Sequence, residues 1–213
     1  MDSSKRYPTP YSTTPPTSKP RTPLPMPLST AQLSQQLLPG GLHFTLTREF
    51  AAPKQLLWKL YTEADHLAHW WSPKNEKTTI VELDLHRSGA FRFERQSPER
   101  QTPWSKWIYL DIQPMKLLTY FQSFTDAHGK TIRSPENPKW PMEMYGTITF
   151  EASPPLHHTI ITHTLAPWNA SEQEHQTFNQ ARLNMKSAFQ KSWDQLETYL
   201  TQLTINNNNT SSP

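Results

Sequence analysis

The sequence predicts an α+β fold: a curved antiparallel sheet of about seven strands around one long C-terminal helix, with two short helices after the first strand. Three observations carry this prediction. Ser171–Leu203 holds one helical pattern of 33 residues, roughly 50 Å at 1.5 Å per residue, and a helix of that length needs a sheet to lie on. Seven runs that read as strands precede it, most of them separated by connections of hairpin length, which makes the sheet mostly antiparallel. The span 42–203 contains 22 of the 24 aromatic residues, enough apolar bulk for one sizeable core.

The elements follow in chain order. Residues 1–41 carry 9 of the 21 prolines. Proline removes backbone donors and fixes φ, and few large apolar groups offset the ordering entropy, so a disordered Pro-rich arm is expected there. The folded domain is expected over 42–203. Leu42–Phe50 alternates apolar and polar residues, with Leu42, Phe44 and Leu46 on one face, and reads as the first strand. Pro53 suits a first helical turn, and Leu56, Leu57, Leu60 and Tyr61 recur at helical spacing, which places a short helix over 53–62. Ala64–Trp71 reads as a second, stopped by Ser72-Pro73. Strands are expected over 77–85, 90–95, 104–113, 116–125, 142–151 and 156–165, with Pro114-Met115 turning between the third and fourth of these. Ser171 and Glu174 form a capping box for the last helix. Phe178, Ala181, Met185, Phe189, Leu196, Leu200 and Leu203 form its apolar stripe. Residues 204–213 are expected to be a second disordered end.

Charge excludes more than it suggests. The chain has 21 basic and 18 acidic residues, a net +3, and a pI near 9.1, a balance that ordinarily points to nucleic acid or an anionic membrane. The surplus sits entirely in the arm, where Lys5, Arg6, Lys19 and Arg21 face one acid, Asp2; residues 42–203 are neutral. Neither nucleic acid nor membrane is therefore an expected partner. No run approaches the ~20 apolar residues of a membrane span, and the basic, Pro/Thr-rich start lacks the apolar stretch of a secretory signal. The absence of Cys removes disulfides, thiolate metal sites and Cys nucleophiles together. A cytoplasmic protein is expected.

A further set of residues is more specific. Glu49-Phe50-Ala51-Ala52-Pro53, Leu57-Trp58, Thr62, His66-Leu67 and Trp70-Trp71-Ser72-Pro73 resemble the opening signature of one family. It comprises the proteins similar to the C-terminal domain of the activator of heat-shock protein 90 ATPase, within the START-like SRPBCC superfamily. Asp84-Leu85 with Gly89-Ala90-Phe91, Asp111-Ile112-Gln113-Pro114 with Leu117, Trp140-Pro141, and Thr147-Ile148-Thr149-Phe150-Glu151 resemble later family motifs in order. Phe189, Leu196 and Tyr199-Leu200 close the match, which covers about 42–203. The resemblance implies a helix-grip (START-like) fold, a ligand space between sheet and helix, and a chaperone as a possible partner. Three glycine sites depart from the pattern. The Arg-Pro-Gly-Gly turn is His86-Arg87-Ser88-Gly89 here, a strand glycine is Trp107, and the Gly-Trp of the last helix is Ala188-Phe189. Larger side chains at these places are expected to reshape or shrink the space under the sheet.

Each chemistry-bearing residue also has a plainer role. No nucleophile elbow, phosphate-binding glycine loop or dinucleotide fingerprint is present, so no cofactor is expected. His66 and His69, at i and i+3 on a helix, and His157, His158 and His163 on one strand have metal-ligating chemistry. They lack an HExxH pattern and a third ligand at matching spacing, so no metal is expected either. Asp84, Asp111 and Glu143 would become general acids only inside an apolar cavity, and turn capping or solvation is the alternative for each.

The aromatic set is the richer signal, because a sheet wrapped on one helix leaves a space between them. The residues expected to line it are Trp71, Phe93, Trp104, Trp107, Tyr109, Tyr120, Trp140, Met144, Tyr145, His163, Phe178 and Met185. Trp104, Trp107 and Trp140 adjoin Pro-rich loops at the open end, and Tyr109, Tyr145 and His163 offer polar handles to orient an apolar ligand. Binding of a small hydrophobic molecule is the function these residues favour. The resemblance implies two alternatives, a co-chaperone-like module and an enzyme of the cyclase or hydrolase type; no catalytic residue is identified.

Overall fold

The computed structural model describes residues 43–210 except 73, 75, 98–99, 102–103 and 155–156. The arm expected over 1–41 lies outside the described residues. Among the described residues nine strands are formed: β1 (Phe44–Phe50), β2 (Lys77–Leu83), β3 (Ala90–Ser97), β4 (Arg100–Gln101), β5 (Trp104–Gln113), β6 (Leu117–Thr125), β7 (Thr131–Ile132), β8 (Glu143–Ser153) and β9 (His158–Trp168). The helices are α1 (Lys54–Thr62), α2 (Ala64–Trp70) and α3 (Glu172–Thr210). The α+β class and the order of elements agree with the sequence reading. The two-residue strands β4 and β7, which pair with β3 and β6, have too little pattern to be seen in advance.

One sheet runs β1-β9-β8-β6-β5-β3-β2, with antiparallel neighbours throughout. Register shifts between Tyr109 and Asp111 on β5 and between Ile80 and Glu82 on β2 add local twist, which curls the sheet. Pro167 is tolerated inside β9 because β1 pairs only as far as Leu165, leaving that flank without a ladder partner. The turn from β2 to β3 places Ser88, where the family pattern has glycine, at φ +70. That left-handed conformation costs a residue with a Cβ about 1–2 kcal/mol.

α1 and α2 close one end of the curled sheet. Their Leu57, Leu60, Tyr61, Leu67 and Trp70 join Phe50, Phe150, Ile161, Leu196 and Leu200 in a single core. Tyr61 meets Phe150 edge-on at 5.3 Å, and Phe50 meets Trp193 at 5.6 Å, geometries that suit the aromatic quadrupole.

The capping box of α3 forms as read from the sequence. The Ser171 backbone N–H and hydroxyl both donate to Glu174 Oε2, at 2.8 and 2.9 Å, and the Glu174 N–H donates back to Ser171 Oγ at 3.4 Å. Arg133 Nη1 donates to the other carboxylate oxygen at 2.8 Å. That bond, with the Ser171 donors, lowers the Glu174 pKa to about 2. The helix continues to Thr210, past the end expected at Leu203, so 204–210 are helical rather than part of a disordered end; residues 211–213 of that expectation lie outside the described residues. No Gly or Pro interrupts 204–210, so backbone bonding propagates once the helix is established.

Candidate functional site

The sheet presents a ladder of large side chains to α3 because strand side chains alternate between faces. Phe91, Phe93 and Arg95 of β3, Trp107 of β5, Gln122 and Phe124 of β6, Met144 of β8, and His163 and Leu165 of β9 take the inner face. The helix does not follow that surface evenly. Phe178 is buried near its start, as are Ser192, Trp193 and Leu196 further on, but no side chain from Asn179 to Lys191 is buried. Under this stretch lies a cavity of about 180 Å³, roofed by Met185, Ala188 and Phe189, closed at one side by Trp70 and Trp71, and rimmed by Trp140 and Phe124.

Of the twelve residues expected at such a cavity, Trp71, Phe93, Trp107, Trp140, Met144, His163 and Met185 line it. The other five do not, for definite reasons. Trp104 lies three residues before Trp107 on one strand and so faces outward, with the Arg92 guanidinium 5.9 Å from its ring. Tyr145 follows Met144 and also faces outward, into a second cluster with Leu110, Phe121 and Trp168. Tyr109 and Tyr120 face inward but are fully buried in the core, outside the cavity wall. Phe178 packs against Trp140 at 5.8 Å and holds that rim residue from behind.

The wall rests on a buried polar arrangement. The Tyr120 ring stacks on Trp107 at 3.6 Å with 9° between the planes, and its hydroxyl hydrogen-bonds His163 Nε2. Tyr120 reaches His163 across β8 because its ladder partner there, residue 146, is glycine. A Cβ there would overlap the Tyr120 ring and stand 2.6 Å from its hydroxyl oxygen. Burial lowers the His163 pKa to about 3, so the imidazole is neutral. Burial likewise raises the Tyr120 pKa well above the phenol range, with Tyr61 and Tyr109 adding to the shift. Tyr109 Oη and Trp107 Nε1 have no hydrogen-bond partner among the described residues.

The remaining candidates have other tasks. His66 Nδ1 is 2.9 Å from Tyr199 Oη, and His69 stacks on the Tyr199 ring at 4.7 Å, so both histidines dock α2 onto α3. His158 meets Glu49 at 3.2 Å across two strands. Asp84 pairs with His86 at 2.8 Å, Asp111 accepts from Gln113 at 2.8 Å, and Glu143 is exposed; none of these acids lines the cavity. Among the described residues, no group of three His, Asp or Glu is arranged to hold a metal ion, and no helix is long and apolar enough to cross a membrane.

Sequence reasoning passed over Trp70, Arg95, Gln122, Phe124, Leu165, Ser192 and Trp193, and named Ala188 and Phe189 only as an altered glycine site; all nine line the cavity. A signal existed for several. Counting by two from Phe91 and Phe93 reaches Arg95, and from Tyr120 reaches Gln122 and Phe124; Met185, Phe189, Ser192 and Trp193 recur at helical spacing. Ala188 and Phe189, at the altered Gly-Trp site, stand in the roof, and Trp107, at the altered strand glycine, stands in the wall.

A curled antiparallel sheet gripping a long C-terminal helix over an aromatic-walled cavity defines the helix-grip class of α+β domains. Within it, the family described as activator of Hsp90 ATPase homolog 1-like protein matches residues 51–201, and the chain belongs to that family. The fold is shared with a Mycobacterium smegmatis protein of known crystal structure at a TM-score of 0.62 and 18% identity, over 76% of this chain and 92% of that one. An Arthrobacter aurescens protein solved by NMR matches with a TM-score of 0.62 and 19% identity, covering 76% of this chain and 87% of the other. A crystal structure from Nitrosomonas europaea gives 0.59 and 20%, covering 79% and 99%. Identities this low speak to the fold alone. No curated protein matches the chain.

Proposed function

We propose that this protein binds a small, mainly apolar molecule in the cavity between the sheet and α3. The observation that carries this reading is the roofed space itself: about 180 Å³ walled by five tryptophans and by Phe93, Met144 and Phe189. An apolar void of ~150 Å³ admits benzene, whereas drug-sized ligands take ~300–1,000 Å³. The volume therefore fits a molecule of one or two rings or a short branched chain. His163, neutral and fixed by Tyr120, supplies a hydrogen-bonding point in a mainly apolar wall that also holds Gln122, Ser192 and Arg95. No carboxylate lines the wall among the described residues, which supports binding over acid-assisted turnover.

A thermal-shift screen of one- and two-ring compounds tests the reading. A ligand at 100 times its Kd adds about 2.7 kcal/mol of stability, and the variant Ala188→Trp, which places an indole across the roof, should lose that gain. An absence of any shift, or a shift unchanged in Ala188→Trp, would overturn it. The family description points to a second reading, a co-chaperone-like module. Stimulation of a chaperone ATPase by the full chain, with no compound bound in the screen, would put that reading first.

A further inference from the structure

We propose that Tyr120 fixes the ring proton of His163 so that the cavity reads hydrogen-bond acceptors: its preferred occupant is a small uncharged carbonyl compound whose oxygen accepts from His163 Nδ1. This rests on the ligand-binding reading above and names the class of ligand and the residue pair that selects it.

A neutral imidazole offers one nitrogen as donor and the other as acceptor, and the tautomer decides which. His163 lines the cavity, and its ring stands edge-on to Phe189 of the roof at 4.8 Å. Its Nε2 is hydrogen-bonded to the Tyr120 hydroxyl, which has no other partner among the described residues. A buried phenol places its single proton on an acceptor, and Nε2 is the acceptor within reach. Tyr120 therefore donates, Nε2 receives with its lone pair, and the ring proton sits on Nδ1. His66, His69, His86 and His158 each set Nδ1 against a partner within the protein. His163 has the opposite arrangement, with Nε2 engaged and Nδ1 left for an occupant.

The rest of the wall makes an uncharged acceptor the matching group. Ser192 already donates its hydroxyl proton to the Ala188 carbonyl at 3.3 Å. Gln122 carries both a donor and an acceptor, and the tryptophans of the wall can only donate. A buried N–H without an acceptor is destabilising, and a ligand oxygen removes that deficit. A ligand that offers only an N–H would set donor against donor. Charge is disfavoured as well. Arg95, the charged residue of the wall, already interacts within the protein. An ionised ligand would therefore leave its hydration for a mainly apolar space with no free counter-charge among the described residues that line it.

Two measurements on the full chain test this. Nitrogen NMR of protein labelled at the histidine rings reads which nitrogen is protonated. The His163 signals, assigned by their loss in His163→Leu or His163→Gln, should show the proton on Nδ1. Isothermal titration then compares two isosteric pairs: acetophenone with α-methylstyrene, which exchange a carbonyl oxygen for a methylene, and indole with indene, which exchange an N–H for a methylene. The affinity of acetophenone relative to α-methylstyrene should fall about tenfold in His163→Leu, the size expected of one buried hydrogen bond. In the wild type indole should gain nothing over indene. Tyr120→Phe keeps a ring against Trp107 but frees the tautomer, so the affinity of indole relative to indene should rise about tenfold there. A merely structural role of Tyr120 would not move that ratio, and an unmoved ratio overturns the part assigned to Tyr120. A His163 proton on Nε2, or an acetophenone preference unchanged in His163→Leu, overturns the acceptor inference and leaves the binding reading standing. Tighter binding of indole than of indene by the wild type overturns it too, and decides even if the variants fold poorly. Failure of all four probes to bind overturns both readings.

Discussion

Two stretches of α3 have opposite relations to the same sheet. From Ser192 to Leu200 the helix turns Ser192, Trp193, Leu196 and Leu200 into the core, beside Leu57, Leu60 and Phe50, and its Asp194 and Glu197 hold Arg48. From Asn179 to Lys191 no side chain is fully buried; Met185 and Phe189 are half-buried, and the Phe189 ring touches the sheet at Phe44 and His163, at 5.4 and 4.8 Å. Cooperative backbone bonding lets the deeply packed turns carry the lightly packed ones, so stability rests mainly on the Ser192–Leu200 stretch, while the cavity is lined from both, by Met185, Ala188 and Phe189 and by Ser192 and Trp193.

The sharpest way to break that division is to truncate one side chain in each stretch. Leu196→Ala, at a site with no solvent exposure, should cost about 3 kcal/mol in chemical denaturation. Met185→Ala in the roof should cost under about 1 kcal/mol and act on ligand affinity instead. Equal losses would mean that the roof bears load as the anchor does.

Gly146→Ala probes the layer beneath both stretches. The added methyl would displace the Tyr120 ring, so a loss of about 2 kcal/mol is expected from overpacking. Weaker binding of a cavity ligand should accompany it, since Tyr120 supports both Trp107 and His163. A variant as stable as wild type would show that the ring can move at no cost.

His163 adds a pH signature. Its folded pKa, about 3, lies below the unfolded value near 6.5, so the unfolded chain binds the extra proton between those limits. The contribution is fully present above pH 6.5 and is lost as pH falls toward 3, by at most about 1.4 kcal/mol per pH unit. His163→Leu should flatten the stability-against-pH curve in that window, whatever its effect at neutral pH. An unaltered slope would place the titration elsewhere.

The smallest effect serves as a control outside both stretches. Ser88→Gly should stabilise the fold by about 0.5–1 kcal/mol by relieving the left-handed backbone at φ +70, and it should leave binding unchanged.

The limits of sequence reading follow the same geometry. Alternation and capping are local, so the strand runs, the Ser171–Glu174 box and the helix stripe were legible. Choosing cavity residues by aromatic character ignored the strict alternation of strand faces, which is why Met144 and Tyr145 were both expected inside although adjacent residues cannot both be. Arg95 was missed for the opposite reason: its position followed from Phe91 and Phe93, but its charge spoke against an inner face. Which turns of α3 touch the sheet depends on the sheet's curl, and curl arises from bulges and twist that no residue type announces.

The walling of the cavity by Trp70, Trp71, Trp107, Trp140 and Trp193 has an optical consequence. These are five of the eight tryptophans in the chain, and indole emission responds to the polarity and quenching groups beside it. Most of the protein's indoles thus surround one small volume, so the chain carries a label-free gauge of whether that volume is filled. Trp104 and Trp168, on the outer face, supply a background signal that filling should leave alone.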